Sequence, residues 1–274
     1  MFEVERIVRQ ALQEDIGLGD ITTQATVEPG TRAHAELVAK EDFILSGVNV
    51  ARRVFHQLDD EIAFEALTVD GQKVRRGEVI AWIKGEAVAL LQGERVALNL
   101  LQRMSGIATM TRRFVDAVAG TRATIVDTRK TTPGLRVLEK YSVRQGGGHN
   151  HRTSLYDGVL IKENHIAAAG GIAVAVERAR ARVSHVLKIE IETRDLDEVS
   201  QALQAGAEVI LLDNMSPDEL RRAVELVAGR ALTEASGGVN LETVADIAAT
   251  GVDLISVGAL THSYRSVDIS MLFR

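Results

Sequence analysis

Residues 208–238 read EVILLDNMSPDELRRAVELVAGRALTEASGG. An apolar run at 208–212 predicts a strand, the spacing of apolar residues over 217–228 predicts a helix, and the apolar run at 231–235 predicts a second strand. Strands that are apolar along their length and are separated by helices indicate a parallel sheet that is covered on both faces. This stretch therefore predicts an α/β fold.

The same alternation begins after Gly120 and continues almost to the C-terminus. The remaining predicted strands are 124–126, 158–161, 186–191 and 253–257, and the remaining predicted helices are 134–145, 172–183, 195–205 and 240–249. A complete eight-stranded barrel takes about 250 residues, whereas only about 140 are left here for six strands. We therefore expect an open or incomplete parallel α/β barrel. A doubly wound sheet is the alternative, because strand order cannot be read from one sequence.

The chain before Gly120 has a mixed pattern. A first helix carries Ile7, Val8 and Leu12 on one face and ends before Gly17. Period-two runs predict strands, and apolar residues at helical spacing predict two more helices, of which the second is interrupted near Ser105 and Gly106. The strands are expected at 33–39, 61–69 and 79–84, and the helices at 48–58 and 90–118. These elements predict an N-terminal α+β unit.

Composition excludes several classes of protein. The chain has 274 residues, no cysteine and a net charge of −6. Without cysteine there is no disulfide framework, thiolate metal site or thiol nucleophile. The acidic balance argues against a general binder of nucleic acid or of anionic membranes. No apolar run approaches the roughly 20 residues that span a bilayer, and the N-terminus lacks the apolar segment of a signal peptide, so we expect a cytoplasmic protein.

One basic segment interrupts this acidic chain. From Asp127 to Lys162 there are seven Lys and Arg residues against three Asp and Glu residues. A basic island in an acidic protein suggests a localised anion site. Five of its side chains follow predicted strands or lie between them: Arg129, Lys130, His151, Arg152 and Lys162. Such a set suits a small dicarboxylate, although pairing with Asp127, Asp157 or Glu163 is the structural alternative.

The later strands also end in residues with chemistry. Glu192 and Asp213 suit Mg²⁺ or ribose hydroxyls, unless one of them only pairs with Lys188. Glycines that precede a helix let backbone N–H groups approach a phosphate, and we expect Ser236, Gly237 and Gly238 to do so ahead of a helix capped by Asn240, with Gly258 closing the next strand similarly. Functional groups of α/β barrels lie at the C-terminal ends of the strands. We therefore expect these residues to converge on one site.

The chain resembles the quinolinate phosphoribosyltransferases, also called carboxylating nicotinate-nucleotide pyrophosphorylases. The matching stretches follow the family's order and cover nearly the whole chain: EDIGLGDITT (14–23), ERVALNLLQRMSGIAT (94–109), DTRKTTPGLRVLEKYSVRQGGGHNHR (127–152), LIKENH (160–165), EIE (190–192), ILLDN (210–214), EASGG (234–238) and VGALTHS (257–263).

The resemblance implies an N-terminal sandwich domain at 1–110, a seven-stranded open barrel at 111–264, and a C-terminal tail, 265–274, that packs on the first domain. It also implies a homodimer whose active sites are shared, with each N-terminal domain covering the partner's barrel. The implied reaction transfers phosphoribosyl from phosphoribosyl pyrophosphate to quinolinate with decarboxylation, giving nicotinate mononucleotide, CO₂ and pyrophosphate for NAD biosynthesis.

The resemblance also assigns roles to residues. Those around quinolinate would be Arg129, Lys130, His151, Arg152 and Lys162, joined by Arg95 from the neighbouring subunit. Glu192 and Asp213 would face the ribose and Mg²⁺, and the phosphate would meet Ser236, Gly237, Gly238 and Gly258. The residues implied in catalysis are Lys130, Lys162, Glu192 and Asp213, while Thr128 and His165 lie in matching motifs without a defined role.

Three other functions remain open at this stage. A ModD-like paralogue, linked to molybdenum transport, would have the same fold and another acceptor. A barrel aldolase would use Lys162 as a Schiff base. A non-catalytic phosphosugar-binding protein would bind ligand without releasing pyrophosphate.

Overall fold

The computed structural model describes residues 2–274, which divide into two compact units. Unit 1 comprises residues up to Arg112, Thr131–Gly147 and Tyr264–Arg274, and unit 2 comprises Arg113–Lys130 and Gly148–Ser263. The predicted division at 110 and 111 does not follow this pattern, because Thr131–Gly147 belongs to unit 1. No helix within residues 2–274 is long and apolar enough to cross a membrane.

Unit 1 is built on an antiparallel sheet. Its helices are α1 (Phe2–Ile16), α2 (Ile21–Thr26), α3 (Val48–Leu58), α4 (Ala87–Ala117, whose last turns enter unit 2) and α5 (Arg136–Gln145). Its strands are β1 (Arg32–Ala39), β2 (Phe43–Ile44), β3 (Ala63–Ala66), β4 (Lys73–Val74), β5 (Val79–Glu86) and, from the C-terminal tail, β12 (Ile269–Phe273). The main sheet has the order β12-β1-β5-β3, and β2 pairs separately with β4. The predicted α+β unit is confirmed.

The helices of unit 1 cover this sheet with the residues that the sequence pattern selects. Ile7, Val8 and Leu12 of α1 are buried, as predicted, and so is the apolar face of α3. The predicted interruption of the long helix is wrong, since α4 runs through Gly106 without a break. A Cβ at that position would overlap the carbonyl oxygen of Arg265. Gly106 therefore permits a close approach of two backbones and does not end the helix.

Thr131–Gly147 joins unit 1 through a buried charge. Glu139 of α5 is fully buried and forms an ion pair with Arg103 of α4. It also accepts a hydrogen bond from the backbone N–H of Thr132 at 3.1 Å. An ion pair in the interior must be matched by close partners on both sides, so α5 and α4 are fixed to each other.

Unit 2 is a parallel sheet of six strands surrounded by helices. The strands are β6 (Thr124–Val126), β7 (Val159–Ile161), β8 (Ile189–Thr193), β9 (Val209–Asp213), β10 (Leu232–Ser236) and β11 (Leu254–Ser256). The helices are α6 (Glu163–Ala169), α7 (Ile172–Arg182), α8 (Leu196–Gln204), α9 (Pro217–Val227), α10 (Val244–Ala248) and α11 (Ala259–His262). All predicted strands of this part are present within a few residues, and α6 and α11 are additional helices.

The strand order identifies an open barrel. Within the described residues it is β6-β11-β10-β9-β8-β7, so five successive strands lie side by side and the first strand pairs with the last. A doubly wound sheet would reverse its direction at a switch point, and that alternative is wrong. The resemblance implies seven strands, and the described residues form six. In place of a seventh strand, the single residue His149 forms a parallel bridge to Val126, the last residue of β6.

Candidate active site

One face of the parallel sheet carries most of the polar side chains. Side chains alternate between the two faces of a strand, and opposite residues of neighbouring strands share a face. Leu211 of β9 lies opposite Glu192 of β8 and Glu234 of β10, and Asp213 lies opposite Ser236. The alternation therefore brings five polar residues to the same face: Glu190, Glu192, Asp213, Glu234 and Ser236.

A cavity of about 530 Å³ lies against this face and is lined by the ends of the strands. Its walls contain most of the predicted site residues: Arg129, Lys130, His151, Arg152, Lys162, Glu192, Asp213, Ser236, Gly237 and Gly238. They also contain six residues to which no role was given: Thr128, Leu160, Leu211, Asn214, Glu234 and Ser256. The residues that were expected to converge come from five different strands and meet in unit 2.

Two predicted residues are not among those that line this cavity. Gly258 lies behind Lys130, and a Cβ on Gly258 would come within 3.1 Å of Lys130 Cδ. The glycine therefore makes space for the lysine side chain. Arg95 is an exposed residue of α4 in unit 1, and its predicted role in a partner's site stays a prediction.

The loop that carries His151 and Arg152 is held by a buried carboxylate. Asp127 is fully buried at the end of β6. It accepts hydrogen bonds from the Asn150 side-chain amide at 2.6 Å and from the backbone N–H of His151 at 2.9 Å. Asp157, which was considered as a partner of the basic cluster, accepts hydrogen bonds from the backbone N–H groups of Thr153 and Ser154, both at 2.7 Å.

Cations crowd one side of the cavity. Burial lowers the pKa of Arg152, and the nearby charge of Arg129 lowers it further. The Nε of Arg152 is buried and has no hydrogen-bond partner within residues 2–274. Glu163, another considered partner, pairs with Arg194 at 2.7 Å. A buried guanidinium beside another one is favourable once an anion lies between them, so this side can hold a carboxylate.

Carboxylates and glycines form the other side. Glu192 accepts a hydrogen bond from Lys162 Nζ at 3.0 Å and not from Lys188, and Asp213 accepts one from the Asn214 side chain at 2.9 Å. Gly237 and Gly238 follow β10 with φ of 93° and 61°, a region that favours glycine. A side chain at Gly237 would overlap Asn214. This loop thus keeps its backbone open toward the cavity.

The expected helix after these glycines begins later than predicted. Helix α10 starts at Val244 and is preceded by Thr243, so Asn240 is not its N-cap residue. Asn240 instead accepts hydrogen bonds from the backbone N–H groups of Glu242 and Thr243, at 2.9 and 3.0 Å, within a turn. The glycine loop itself, rather than a helix N-terminus, lines the cavity.

Sequence reasoning gave no role to Glu190 and Glu234. Each lies inside its strand and is buried. The period-two pattern was a usable signal, because Glu190 shares a face with Glu192, and Glu234 with Ser236. Nε2 of His151 lies 2.9 Å from Glu190 Oε2 and 3.8 Å from Glu234 Oε1.

Two family models together match almost the whole chain. The N-terminal domain of quinolinate phosphoribosyl transferase matches residues 20–105, and its C-terminal domain matches residues 107–272. A Bacillus subtilis protein named probable carboxylating nicotinate-nucleotide pyrophosphorylase is 47% identical over 98% of this chain and 93% of its own length. A mitochondrial decarboxylating quinolinate phosphoribosyltransferase of Nicotiana tabacum is 42% identical over 98% of this chain and 82% of its own length.

Solved structures agree with these matches. The nicotinate-nucleotide pyrophosphorylase of Francisella tularensis superimposes with a TM-score of 0.96 at 42% identity, covering 99% of this chain and 96% of that one. The enzyme of Ehrlichia chaffeensis gives 0.94 at 41% identity and covers 98% of both chains. With its fold, its cavity residues and its motifs in agreement, the chain belongs to the quinolinate phosphoribosyl transferase family.

Proposed function

We propose that this protein transfers the phosphoribosyl group of phosphoribosyl pyrophosphate to quinolinate and releases CO₂ and pyrophosphate. The product is nicotinate mononucleotide, so the protein acts in NAD biosynthesis. One observation carries the proposal: a single cavity is lined both by a set of cations and by carboxylates and a glycine loop. A dianionic ring fits the first, and a phosphorylated sugar fits the second.

The cationic side is assigned to the two carboxylates of quinolinate. Arg129, Arg152, Lys130 and Lys162 all line the cavity. Arginine presents a planar fork to a carboxylate, and lysine presents a point charge. Each hydrogen bond to a charged group contributes about 1.5–3 kcal/mol. Several such contacts hold the ring so that its nitrogen faces the sugar.

The other side is assigned to phosphoribosyl pyrophosphate and Mg²⁺. Glu192 and Asp213 line the cavity on the same face of the sheet. Mg²⁺ takes oxygen ligands and binds through one or two carboxylates together with substrate phosphates, so this donor set fits the ion. Bound there, Mg²⁺ supplies positive charge to the departing pyrophosphate. Ser236, Gly237 and Gly238 offer polar atoms and an open backbone for the phosphate.

Positioning and electrostatics account for the chemistry of this chain. The ring nitrogen forms a bond to the anomeric carbon as the bond to pyrophosphate breaks, and the site holds the two groups in line. Glu192 and Asp213 stabilise the positive charge that develops on the ribose. As CO₂ leaves, the electron pair of the C2–carboxylate bond stays on C2, stabilised by the adjacent positive ring nitrogen, and C2 then takes a proton from water to give nicotinate mononucleotide. Lys130 and Lys162 remain beside the ring during both steps.

An assay of the purified protein tests this function. Quinolinate, phosphoribosyl pyrophosphate and Mg²⁺ are supplied together, and nicotinate mononucleotide, CO₂ and pyrophosphate are expected in equal amounts. Absence of nicotinate mononucleotide would sink the proposal. Release of pyrophosphate only with another aromatic acid would instead support the ModD-like alternative.

The aldolase alternative has less support. Lys162 lies 3.0 Å from Glu192, and its side chain is 50% exposed. A lysine that forms a Schiff base must present its amine to a carbonyl carbon, whereas Nζ of Lys162 donates a hydrogen bond to Glu192. Borohydride treatment with carbonyl substrates is therefore expected to leave Lys162 unmodified, as mass spectrometry of its peptide would show.

The assembly and location follow from the same family relationship. We infer a homodimer in which Arg95 completes the partner's quinolinate site. An exposed arginine on α4 supports this role, because nothing buries its charge within its own chain. The cytoplasmic location and the lack of nucleic-acid partners, which were expected from the sequence, stay predictions.

A further inference from the structure

Two buried glutamates are not used by this reaction scheme: Glu234 lines the cavity, and Glu190 lies on the same face of the sheet. Glu190 is 7% exposed and Glu234 is 1% exposed. They lie on β8 and β10, on the two sides of β9, and share the cavity face. One oxygen of each carboxyl and a ring nitrogen of His151 lie within 4.8 Å of one another. The three side chains form one buried cluster.

Hydrogen bonds define the tautomer of His151. The backbone N–H of Arg152 donates to Nδ1 at 2.7 Å. A ring nitrogen that accepts a hydrogen bond carries no proton, so the proton of the neutral imidazole is on Nε2. Nε2 lies 2.9 Å from Glu190 Oε2 and donates to it. His151 thus links Glu190 to the backbone of Arg152, which lines the cationic side of the cavity.

The two carboxyl groups need a proton between them. Oε1 of Glu190 and Oε1 of Glu234 are buried, and within residues 2–274 neither has a hydrogen-bond partner. Two adjacent anionic carboxylates, each with one buried oxygen that has no donor, would be costly. A proton on one of them converts an acceptor into a donor and removes one charge. The geometry of the cluster therefore favours one neutral carboxyl.

The surroundings select Glu234 as the neutral one. Burial and the nearby charge of Glu190 raise the pKa of Glu234 to about 7. A hydrogen bond with the Ser256 hydroxyl opposes this, and so would a positive charge on His151, which the neutral tautomer does not carry. The neighbouring strands present apolar residues opposite Glu234, which are Leu211 on β9 and Leu254 on β11.

We propose that Glu234, as a carboxylic acid, donates a hydrogen bond to Glu190, and that both are positioning residues which hold His151 and Arg152 in place for the dicarboxylate substrate. The kinetic consequence rests on the proposed function. When Glu234 loses its proton, Glu190 loses a donor and the cluster gains a negative charge beside the substrate's carboxylates. Binding of quinolinate is then expected to weaken as the pH rises past about 7.

Steady-state kinetics between about pH 6 and about pH 9 test this consequence, since the Glu234 carboxyl, whose pKa is raised, titrates in that window. Glu234→Gln keeps a donor and cannot ionise, so the rise of the quinolinate KM with pH is expected to disappear in it. Glu234→Ala and Glu190→Ala are expected to raise that KM about tenfold and to change the KM for phosphoribosyl pyrophosphate much less. Glu190→Gln replaces the alanine variant if the latter does not fold.

Two outcomes of the kinetic test contradict the proposal. One is a quinolinate KM that rises with pH in Glu234→Gln as steeply as in the parent protein. The other is an equal increase of both KM values in the alanine variants, which would indicate a general loss of structure rather than a positioning role.

Two measurements do not depend on activity. Nitrogen NMR of the imidazoles, with His151→Gln for assignment, is expected to show the neutral Nε2–H form of His151 at neutral pH. The Glu234 pKa is raised from 4.5 to about 7, so its contribution to stability is present below 4.5 and lost as the pH rises through 7. The melting temperature is therefore expected to fall less over this window in Glu234→Gln.

These measurements separate the proposal from its competitors. If they agree with expectation while no nicotinate mononucleotide forms, the proposed function fails and the hydrogen-bonded cluster stands. An imidazolium at His151, or identical melting profiles of the two proteins, would overturn it. Tight binding of one divalent metal ion per chain, lost in the Glu190→Gln variant, would also overturn it. His151, Glu190 and Glu234 would then be metal ligands.

Discussion

Arg129 and Lys162 enter the cavity from the two edges of the parallel sheet. Arg129 follows β6 and Lys162 follows β7, and these strands end the strand order at opposite sides. Both residues line the cavity, although their strands are not paired with each other. Removing either side chain should therefore weaken binding of the same ligand while leaving the other residue in place.

Arg129→Ala and Lys162→Ala are expected to raise the KM for quinolinate by about tenfold to a hundredfold, because each loses a charged hydrogen bond of about 1.5–3 kcal/mol. Initial-rate kinetics with each substrate varied in turn measure this. Arg221→Ala, on the exposed side of α9, is the matched control and should behave as the parent does. A larger change for phosphoribosyl pyrophosphate than for quinolinate would contradict the assignment.

Asp213→Ala is expected to show the opposite preference. The carboxylate lines the other side of the cavity, so its loss should raise the KM for phosphoribosyl pyrophosphate and the Mg²⁺ concentration needed for half-maximal rate, by about tenfold or more. Calorimetric titration with each substrate separates the two effects. Asp218→Ala, an exposed carboxylate of α9, serves as control, and weakened quinolinate binding of similar size in Asp213→Ala would argue against separate halves.

The sequence revealed the exposed members of the site better than the buried ones. Arg129 and Lys162 are recognisable because a basic island is unusual in an acidic chain. Glu190 and Glu234 are not, since an isolated acid at the border of an apolar run is common at a strand end. Their burial depends on strands far apart in the chain, and only the register shows that they share a face.

The strands of the parallel sheet were predictable because each is a short run of consecutive, mostly apolar residues. The predictions that differed depend on contacts between distant segments. The helix α5 belongs to unit 1, where its Glu139 pairs with Arg103. Gly106 lies inside α4 because the backbone at Arg265, more than a hundred positions later in the chain, packs against it. A glycine within a helical pattern reads as a break unless its tertiary contact is known.

Two glycines of α4 provide a test at this scale. In Gly106→Ala the new Cβ overlaps the backbone carbonyl of Arg265, whereas in Gly93→Ala it comes within 2.8 Å of the Phe55 ring, a side chain that can shift. Alanine gains up to about 1 kcal/mol of helix propensity in both, while overpacking costs about 1–3 kcal/mol. Gly106→Ala should therefore lower the free energy of unfolding more than Gly93→Ala does.

Denaturant unfolding followed by circular dichroism measures this difference. Both variants replace the same residue type in the same helix, so propensity cancels in the comparison. Equal stability of the two proteins would mean that the segment around Arg265 moves away as easily as an aromatic ring does, and that Gly106 is not required for the continuity of α4.

For the whole molecule, the sequence predicts the fold class directly and gives no pattern from which the assembly can be predicted. Six apolar strands alternating with helices exclude most other architectures. Strand order, by contrast, was open between a barrel and a doubly wound sheet until the pairing of β6 with β11 was known. Arg95 is exposed on α4, so its proposed role in a quinolinate site requires a second subunit.

Mixing two impaired variants, assayed at a quinolinate concentration far below the KM of either, decides whose site Arg95 completes. If Arg95 acts in the partner's site, a dimer of one Arg95→Ala and one Lys162→Ala subunit has one intact site and one doubly altered site. Random reassociation of equal amounts makes half of the dimers mixed, so about one quarter of the parent activity is expected to return. If Arg95 acts within its own subunit, each site keeps one lesion and no activity returns. Refolding the two variants together, with each refolded alone as control, distinguishes these outcomes by the rate of nicotinate mononucleotide formation.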